Sequence, residues 1–306
     1  MFFEGSEKKI ELQVNCSAVS LRSLPLDFWQ QTLSLAGAEI LSQLSNQACD
    51  AYVLSESTLL VWERKLLLIT CGNTRLIDAV NYVIEQIGID VISSLTYQRK
   101  SEFLSYLQAS RFEEDVQRLR AQLPGTAYRV GHLDNHHHYL FCSEQVVQSD
   151  ASACLLMYHI KGELAEYLRC NNQSSDEIRK RLQLERLLPM FEFDDYLFKP
   201  CGYSVNGIFE DKFLTIHITP QEHSSYVSIE TNLNFSQYPF NIFAELLKIL
   251  NPSSWDIIGM NMQVANKDFP SHRRIANCDL QLNPLNEFNY NHYTQGGSET
   301  LFAEVL

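Results

Sequence analysis

Two stretches of this chain match one another at a constant offset of 147 residues: 57–71 reads STLLVWERKLLLITC and 204–218 reads SVNGIFEDKFLTIHI. Each is a short β-rich run, a charged turn and a second β-rich run, the pattern of a hairpin. A serine opens each copy, Ser57 or Ser204. A reactive side chain closes it, Cys71 in one and His217 in the other, one position out of step. Duplication of a half-domain explains such an echo and constrains the chain to a fold with an equivalent hairpin in each half. Two unrelated amphipathic hairpins would show the same alternation.

Helices are read from spacing. Phe112, Val116, Leu119 and Leu123 recur at i, i+4, i+7 and i+11, and Pro124-Gly125 ends the stripe. Phe240, Phe243, Leu247 and Leu250 do the same between Pro239, suited to a first helical turn, and Pro252. Weaker patterns predict helices over 26–33, 74–87 and 176–188, the last with Ser174 or Ser175 as N-cap. Between them lie β-rich segments at 52–61, 65–71, 139–142, 207–209, 213–219 and 226–231. Helices and strands without a strict βαβ rhythm imply an α+β fold with largely antiparallel sheets. No Pro-, Gly- or Ser-rich linker divides the 306 residues, and the Asn-rich stretch from Leu285 to Thr294 is the least core-like part.

The formal charge of −13 leaves little basic surface to neutralise phosphates, which argues against nucleic acid or an anionic membrane as the main partner. A cationic small molecule suits such a field. No run approaches the ~20 apolar residues of a membrane span. Glu4, Glu7, Lys8 and Lys9 stand where a secretory signal needs an apolar core. Eight cysteines without a CxxC pair fit a chain kept reduced in the cytoplasm.

Several blocks carry a family likeness: Phe2-Phe3-Glu4-Gly5, residues 52–58 (YVLSEST), Thr70-Cys71-Gly72, residues 201–207 (CGYSVNG), residues 215–220 (TIHITP) and residues 225–232 (SYVSIETN). In this order they resemble S-adenosylmethionine decarboxylase of the eukaryotic type, from the N-terminus to about residue 232. The resemblance implies a four-layer αββα sandwich with two largely antiparallel sheets, internally duplicated, its two hairpins near each other. It implies one such unit over 1–306 that cleaves itself between Glu56 and Ser57 into a small chain, 1–56, and a large chain, 57–306.

In that family the serine hydroxyl attacks the preceding carbonyl, the amide becomes an ester, and β-elimination leaves a pyruvoyl group. The cofactor is then the pyruvoyl made from Ser57, and no metal is needed. Ser204 matches a hydroxyl that donates to the developing oxyanion, and His217 the base that takes the Ser57 α-proton, a role suited to a group titrating near neutrality. In turnover the ketoacyl group forms a Schiff base with the substrate amine and accepts the electrons released with CO₂. Cys71 matches the acid that returns a proton to the α-carbon. Phe3 and Phe198 match the pair that sandwiches adenine, Leu54 and Glu56 match pocket residues, and Glu4 matches an active-site acid. The partners implied are S-adenosylmethionine and the two chains of the cleaved protein, with a homodimer of such pairs left open. Read without the family, Cys71 and Phe198 fit a packed core, and Ser204 and His217 fit turn and strand chemistry.

The sequence departs from the family in places. Gln221 stands where a ribose-binding Glu is expected, which exchanges a charge-assisted acceptor pair for one neutral bond. Asp150 and Glu230 align with acids of the putrescine site of the animal enzymes, but Cys154 replaces a carboxylate and Ile69 a Lys, so putrescine regulation is not expected. A separate cluster, His132, Asp134, His136, His137 and His138, offers zinc-type ligands, although a turn of Asp, Asn and His is more often solvated. Two rival readings stand beside decarboxylation of S-adenosylmethionine: a pyruvoyl enzyme for another amino acid, which Gln221 leaves open, and a non-catalytic relative that binds an active partner.

Overall fold

In a computed structural model, residues 3–133, 136–264, 269 and 272–296 are described. Two eight-stranded sheets form the centre. The first runs, in spatial order, β2 (Ile40–Ser45), β3 (Asp50–Leu54), β4 (Ser57–Val61), β5 (Lys65–Thr70), β1 (Lys8–Val14), β6 (Ile92–Lys100), β8 (His137–Ser143) and β7 (Gly125–Gly131). The second runs β10 (Glu192–Leu197), β11 (Tyr203–Phe209), β12 (Lys212–Thr219), β13 (Tyr226–Thr231), β9 (Ser152–Ile160), β14 (Pro252–Met260), β16 (Asn286–Gln295) and β15 (His272–Asn283). Every neighbouring pair is antiparallel.

Strand alternation sorts the residues into layers. In β1, Ile10 and Leu12 join Trp29, Leu33, Val80 and Val116 in a core under α1 (Leu26–Ala36), α2 (Leu76–Ile87) and α3 (Phe112–Arg120). The second sheet does the same under α4 (Glu163–Tyr167), α5 (Ser175–Arg181), α6 (Leu184–Leu187) and α7 (Ile242–Leu250), where Phe243, Leu246, Leu247 and Leu250 are buried. Each such side chain contributes roughly 1.5–3 kcal/mol by leaving water. The opposite strand faces meet each other: Leu60, Leu67 and Ile69 of the first sheet pack on Ile208 and Phe213 of the second. Helix, sheet, sheet, helix is the four-layer αββα order. No helix among the described residues is long and apolar enough to cross a membrane.

Both sheets share one strand order, the second being the first advanced by eight strands. The repeat is therefore real, but the sequence echo marks it one strand out of step. By position in the order, β4–β5 corresponds to β12–β13, whereas the 147-residue offset equates it with β11–β12. The two echoing hairpins are instead neighbours across the sheet interface, where Trp62 meets Phe213 edge-on at 5.5 Å. Both bury one face against the same layer, so both acquired the same alternation.

Other expectations change locally. The β-rich run 52–61 is two strands, because Ser55-Glu56 forms a turn that brings Leu54 opposite Ser57. The helix over 176–188 breaks at Gln183, which has φ +59. Ser174 caps its first half by accepting from the Glu177 amide at 3.3 Å. The helix ending at Leu250 starts at Ile242, capped by Asn241 rather than opened by Pro239. The Asn-rich stretch 285–294 proves to be mostly core strand: β16 buries Phe288, Tyr290, His292 and Tyr293. Its asparagines fit there because they are bonded, Asn286 accepting from the Ser149 amide at 2.7 Å and Asn289 donating to Met262 O at 2.7 Å.

Candidate active site

The β3–β4 turn sets the chemistry. Ser57 follows Glu56 directly and has φ +136, a region that favours glycine and costs other residues about 1–3 kcal/mol. Ser57 is 3% exposed, and its Oγ has no hydrogen-bond partner among the described residues. Register places Ser57 opposite Thr70, so Cys71 runs beside Glu56. The Glu56 carbonyl oxygen accepts from the Cys71 amide at 3.0 Å and from its thiol at 3.3 Å. Two donors thus polarise the carbonyl next to an unengaged hydroxyl.

Burial and the nearby Glu56 carboxyl push the Cys71 thiol well above its ordinary pKa, so it stays protonated and able to donate. Burial likewise pushes Glu56 up to about 7, with Lys8 pulling the other way. The Lys8 ammonium, lowered to about 8 by burial, donates to Gly72 O at 3.1 Å and Thr74 O at 3.0 Å. Gly72 has φ +64, and a Cβ there would meet Glu56 Oε2 at 3.1 Å and the Phe3 ring at 3.2 Å. Only glycine lets the chain pass between those two groups.

Ser204 and His217 stand opposite each other on β11 and β12, with Ser204 Oγ 2.8 Å from His217 Nδ1. Thr215 Oγ1 lies 2.9 Å from Nε2, so hydroxyls engage both ring nitrogens. Across the interface, Thr58 donates to Asn206 Oδ1 at 2.8 Å, tying the residue after Ser57 to the strand that carries Ser204. The electrostatics of the pair differ from the sequence expectation at one point, the titration of His217. The donors on the Glu56 oxygen come from Cys71, whereas the Ser204 hydroxyl is taken up by His217. Burial lowers His217 to about 3, away from neutrality, so the ring is neutral at physiological pH with a hydroxyl at each nitrogen.

Phe3, Glu4 and Glu56 come together around a cavity of about 310 Å³, joined by Gly72, Leu104 and Gln108. Glu4 accepts from the Leu104 amide at 3.0 Å and the Ser6 amide at 3.4 Å, which makes it a support for that wall. The other expected pocket residues lie elsewhere. The Leu54 side chain is wholly buried among the apolar residues under the helices, because strand alternation turns it away. Phe198 sits in the β10–β11 connection, its ring 4.9 Å from Tyr196, and is not part of the cavity wall. Gln221 is also outside that wall and accepts from Ser224 Oγ at 3.4 Å.

Both acids aligned with the putrescine site hold a lysine, Glu230 in the interior and Asp150 at the surface. Lys9 donates to Glu230 at 2.8 Å and Lys65 to Asp150 at 2.6 Å. Lys9 is the register partner of Ile69, so the missing lysine on β5 is offset by one on the next strand. Cys154 is paired with Glu230 in the β9–β13 register. The neighbouring cavity, lined by Glu7, Lys9, Gln98, Lys100, His138 and Cys154, measures about 10 Å³, room for one water and not a diamine.

The histidine cluster is dispersed. His136 stacks on Tyr158 at 4.5 Å, His137 meets Tyr139 edge-on at 4.9 Å, and His138 Nε2 lies 3.0 Å from Gln98 Oε1. Asp134 falls outside the described residues, and among those described no three ligating side chains are grouped to hold a metal. Sequence reasoning missed Asp256, fully buried and accepting from Tyr158 at 2.6 Å, Tyr290 at 2.9 Å and His292 at 2.5 Å. Its partners come from β9 and β16, the strands on either side of its own, and the pairing across them is not announced by local spacing.

Comparison with known proteins accords with this geometry. A family model described as adenosylmethionine decarboxylase matches residues 1–298. The S-adenosylmethionine decarboxylase proenzyme of Drosophila melanogaster is 33% identical over 266 residues, covering 78% of this chain and 76% of the relative. That of Leishmania donovani is 28% identical over 277 residues, covering 84% and 72%. A crystal structure titled Trypanosoma brucei AdoMetDC-delta26 monomer superposes with TM-score 0.63 at 21% identity, covering 78% of this chain and 99% of that one, and so shares the fold. With a family match running through both sheets and through the Glu56-Ser57 turn, the chain belongs to the adenosylmethionine decarboxylase family.

Proposed function

We propose that the chain is a proenzyme that cleaves itself between Glu56 and Ser57 and then decarboxylates S-adenosylmethionine to the aminopropyl donor of polyamine synthesis. The observation that carries this is the strained Ser57 with its unpartnered Oγ, beside a Glu56 carbonyl that accepts from Cys71 twice. Attack of Ser57 Oγ on the Glu56 carbonyl carbon puts negative charge on the oxygen that Cys71 already contacts. Breaking the C–N bond gives an ester and frees the Ser57 amine. His217, neutral and hydrogen-bonded to Ser204, is the base for the Ser57 α-proton. Elimination then releases Glu56 as a carboxylate, and hydrolysis of the resulting enamine yields ammonia and the pyruvoyl group.

The small chain supplies β1, which pairs with both β5 and β6, so cleavage leaves it woven into the first sheet. The residues present fit the group that would be made there: Ser57, its source, opens β4, and Cys71 follows Thr70, the register partner of Ser57. The group's chemistry is that of an electron sink for the charge left as CO₂ departs. Cys71, held protonated by burial, has the proton to return to the α-carbon. Phe3 and the Glu56 carboxyl offer an apolar face and an acid for a purine and its cationic sulfonium. Eight free cysteines suit a reducing, cytoplasmic setting.

Intact-mass analysis of purified protein tests cleavage: two chains, 1–56 and a ketoacyl-capped 57–306, are expected. A single chain after long incubation favours the non-catalytic rival. Release of CO₂ from carboxyl-labelled S-adenosylmethionine, compared with labelled arginine and ornithine, tests the substrate. Activity on a plain amino acid alone would transfer the assignment to the other pyruvoyl reading.

A further inference from the structure

β1 opens on a lysine that cleavage and turnover, as derived above, leave unused. Ile10 and Leu12 lie in the apolar layer under the helices, and strand alternation turns Lys8 to the same side. Lys8 is 1% exposed. Its ammonium reaches the turn between β5 and α2, donating to Gly72 O at 3.1 Å and Thr74 O at 3.0 Å. Cys71 stands at the head of that turn. The Gly72 amide, donating to Glu4 O at 2.8 Å, and Thr74 Oγ1, donating to Thr70 Oγ1 at 2.9 Å, tie the same segment.

An ammonium held only by neutral carbonyls keeps its field, because no counter-ion cancels it. Glu102, beyond β6, and Asp115, on α3, favour the Lys8 charge, but both are bonded to Arg99 of β6, at 2.5 and 2.8 Å, and Arg99 opposes it. At the start of α2, Arg75 is exposed and Asp78 is bonded to Arg118. Around Cys71 the balance is reversed: Glu56, Glu7 and Glu4 oppose a negative sulfur, and Lys8 favours one. On the cleavage reading the Glu56 carbonyl beside the thiol becomes a carboxylate, which adds to the opposition.

We propose that Lys8 is a positioning residue for proton return: its ammonium fixes the turn that carries Cys71 and offsets the negative charge left on the sulfur. In that step the Cys71 S–H bond breaks, a C–H bond forms at the α-carbon, and the electron pair stays on sulfur until water restores the proton. This rests on the decarboxylase reading.

Burial lowers Lys8 to about 8, so its charge is present below that pH and lost above it. The wild-type kcat on S-adenosylmethionine is therefore expected to fall by about tenfold as pH rises past about 8. Lys8→Gln keeps a donor for the carbonyls and removes the charge. Its kcat at neutral pH should be about tenfold lower, with KM within about twofold and no further decline near 8. Lys8→Arg, charged throughout, should recover activity and carry it past that point. A readout free of turnover uses chains that also carry Ser57→Ala and so form no ketoacyl group. At about pH 7.5, alkylation of Cys71 by iodoacetamide, followed by the mass of its peptide, should slow about tenfold in Lys8→Gln. Unchanged alkylation and kcat in Lys8→Gln would overturn the role. Should the variants not fold, a wild-type kcat that stays level from about pH 7 to 9.5 would overturn it alone. A wild type that releases no CO₂ from S-adenosylmethionine would instead overturn the decarboxylase reading, while the alkylation result still decides whether Lys8 acts on Cys71.

Discussion

The Cys71 amide donates to the Glu56 carbonyl oxygen across 3.0 Å, while the thiol of the same residue lies 3.3 Å from that oxygen. One residue therefore holds the Glu56 carbonyl by two independent donors, and only one of them belongs to the side chain. Maturation and turnover should separate on that distinction.

Cys71→Ala keeps the backbone donor and loses the proton source. Cleavage at Ser57 should proceed, slowed by the loss of one weak donor, whereas decarboxylation should fall by about 10²–10⁴, the usual weight of a general acid. Following both on one preparation, by electrophoresis and CO₂ release, checks the assignment. Turnover at the wild-type rate in fully cleaved Cys71→Ala would show that another group returns the proton.

Strain at Ser57 has its own signature. Ser57→Ala and Ser57→Gly should both remain single chains, because neither has a hydroxyl. Of the two, the glycine variant should be the more stable, by about 1 kcal/mol, since it meets φ +136 without steric cost. Equal denaturation midpoints for the pair would remove strain from the account of cleavage.

Burial, partly opposed by the Ser228 hydroxyl that donates to it, raises Glu7 from 4.5 to about 7, with the charge of Glu230 adding to the rise. Between those values the folded chain holds a proton that the unfolded chain has lost. The stability Glu7 contributes is thus complete below about pH 4.5 and is lost as pH rises through about 7. Glu7→Gln should therefore melt above the wild type at pH 8 by up to about 3 kcal/mol, with the advantage gone near pH 4.5. A constant difference across that range would mean that Glu7 does not carry the proton.

Lys9 already satisfies Glu230, and Lys65 satisfies Asp150. Putrescine should then leave the rate within about twofold, below the roughly fivefold coupling at the low end of effector sites. Lys9→Met strands a buried carboxylate and should cost about 3–5 kcal/mol in stability. A wild-type enzyme strongly activated by putrescine would show that the two lysines yield their acids to a diamine.

Much of this protein is legible locally. The Phe112 and Phe243 stripes and the 226–231 strand each depend on residues close in sequence, whose periodicity is enough to reveal them. What the tertiary structure alone decided are pairings between distant residues. Lys9 meets Glu230 across 221 positions, Thr58 meets Asn206 across 148, and Tyr158 meets Asp256 across 98. The same holds for the half-repeat, whose true register appears only in strand order, and for the Asn-rich β16, whose polar side chains are tolerable in the core once distant backbone groups bond them. Alternation along a strand tells which residues share a face. It cannot tell which strand will lie opposite, because ladder hydrogen bonds form between backbone groups common to every residue, and only packing of the whole sandwich selects among them.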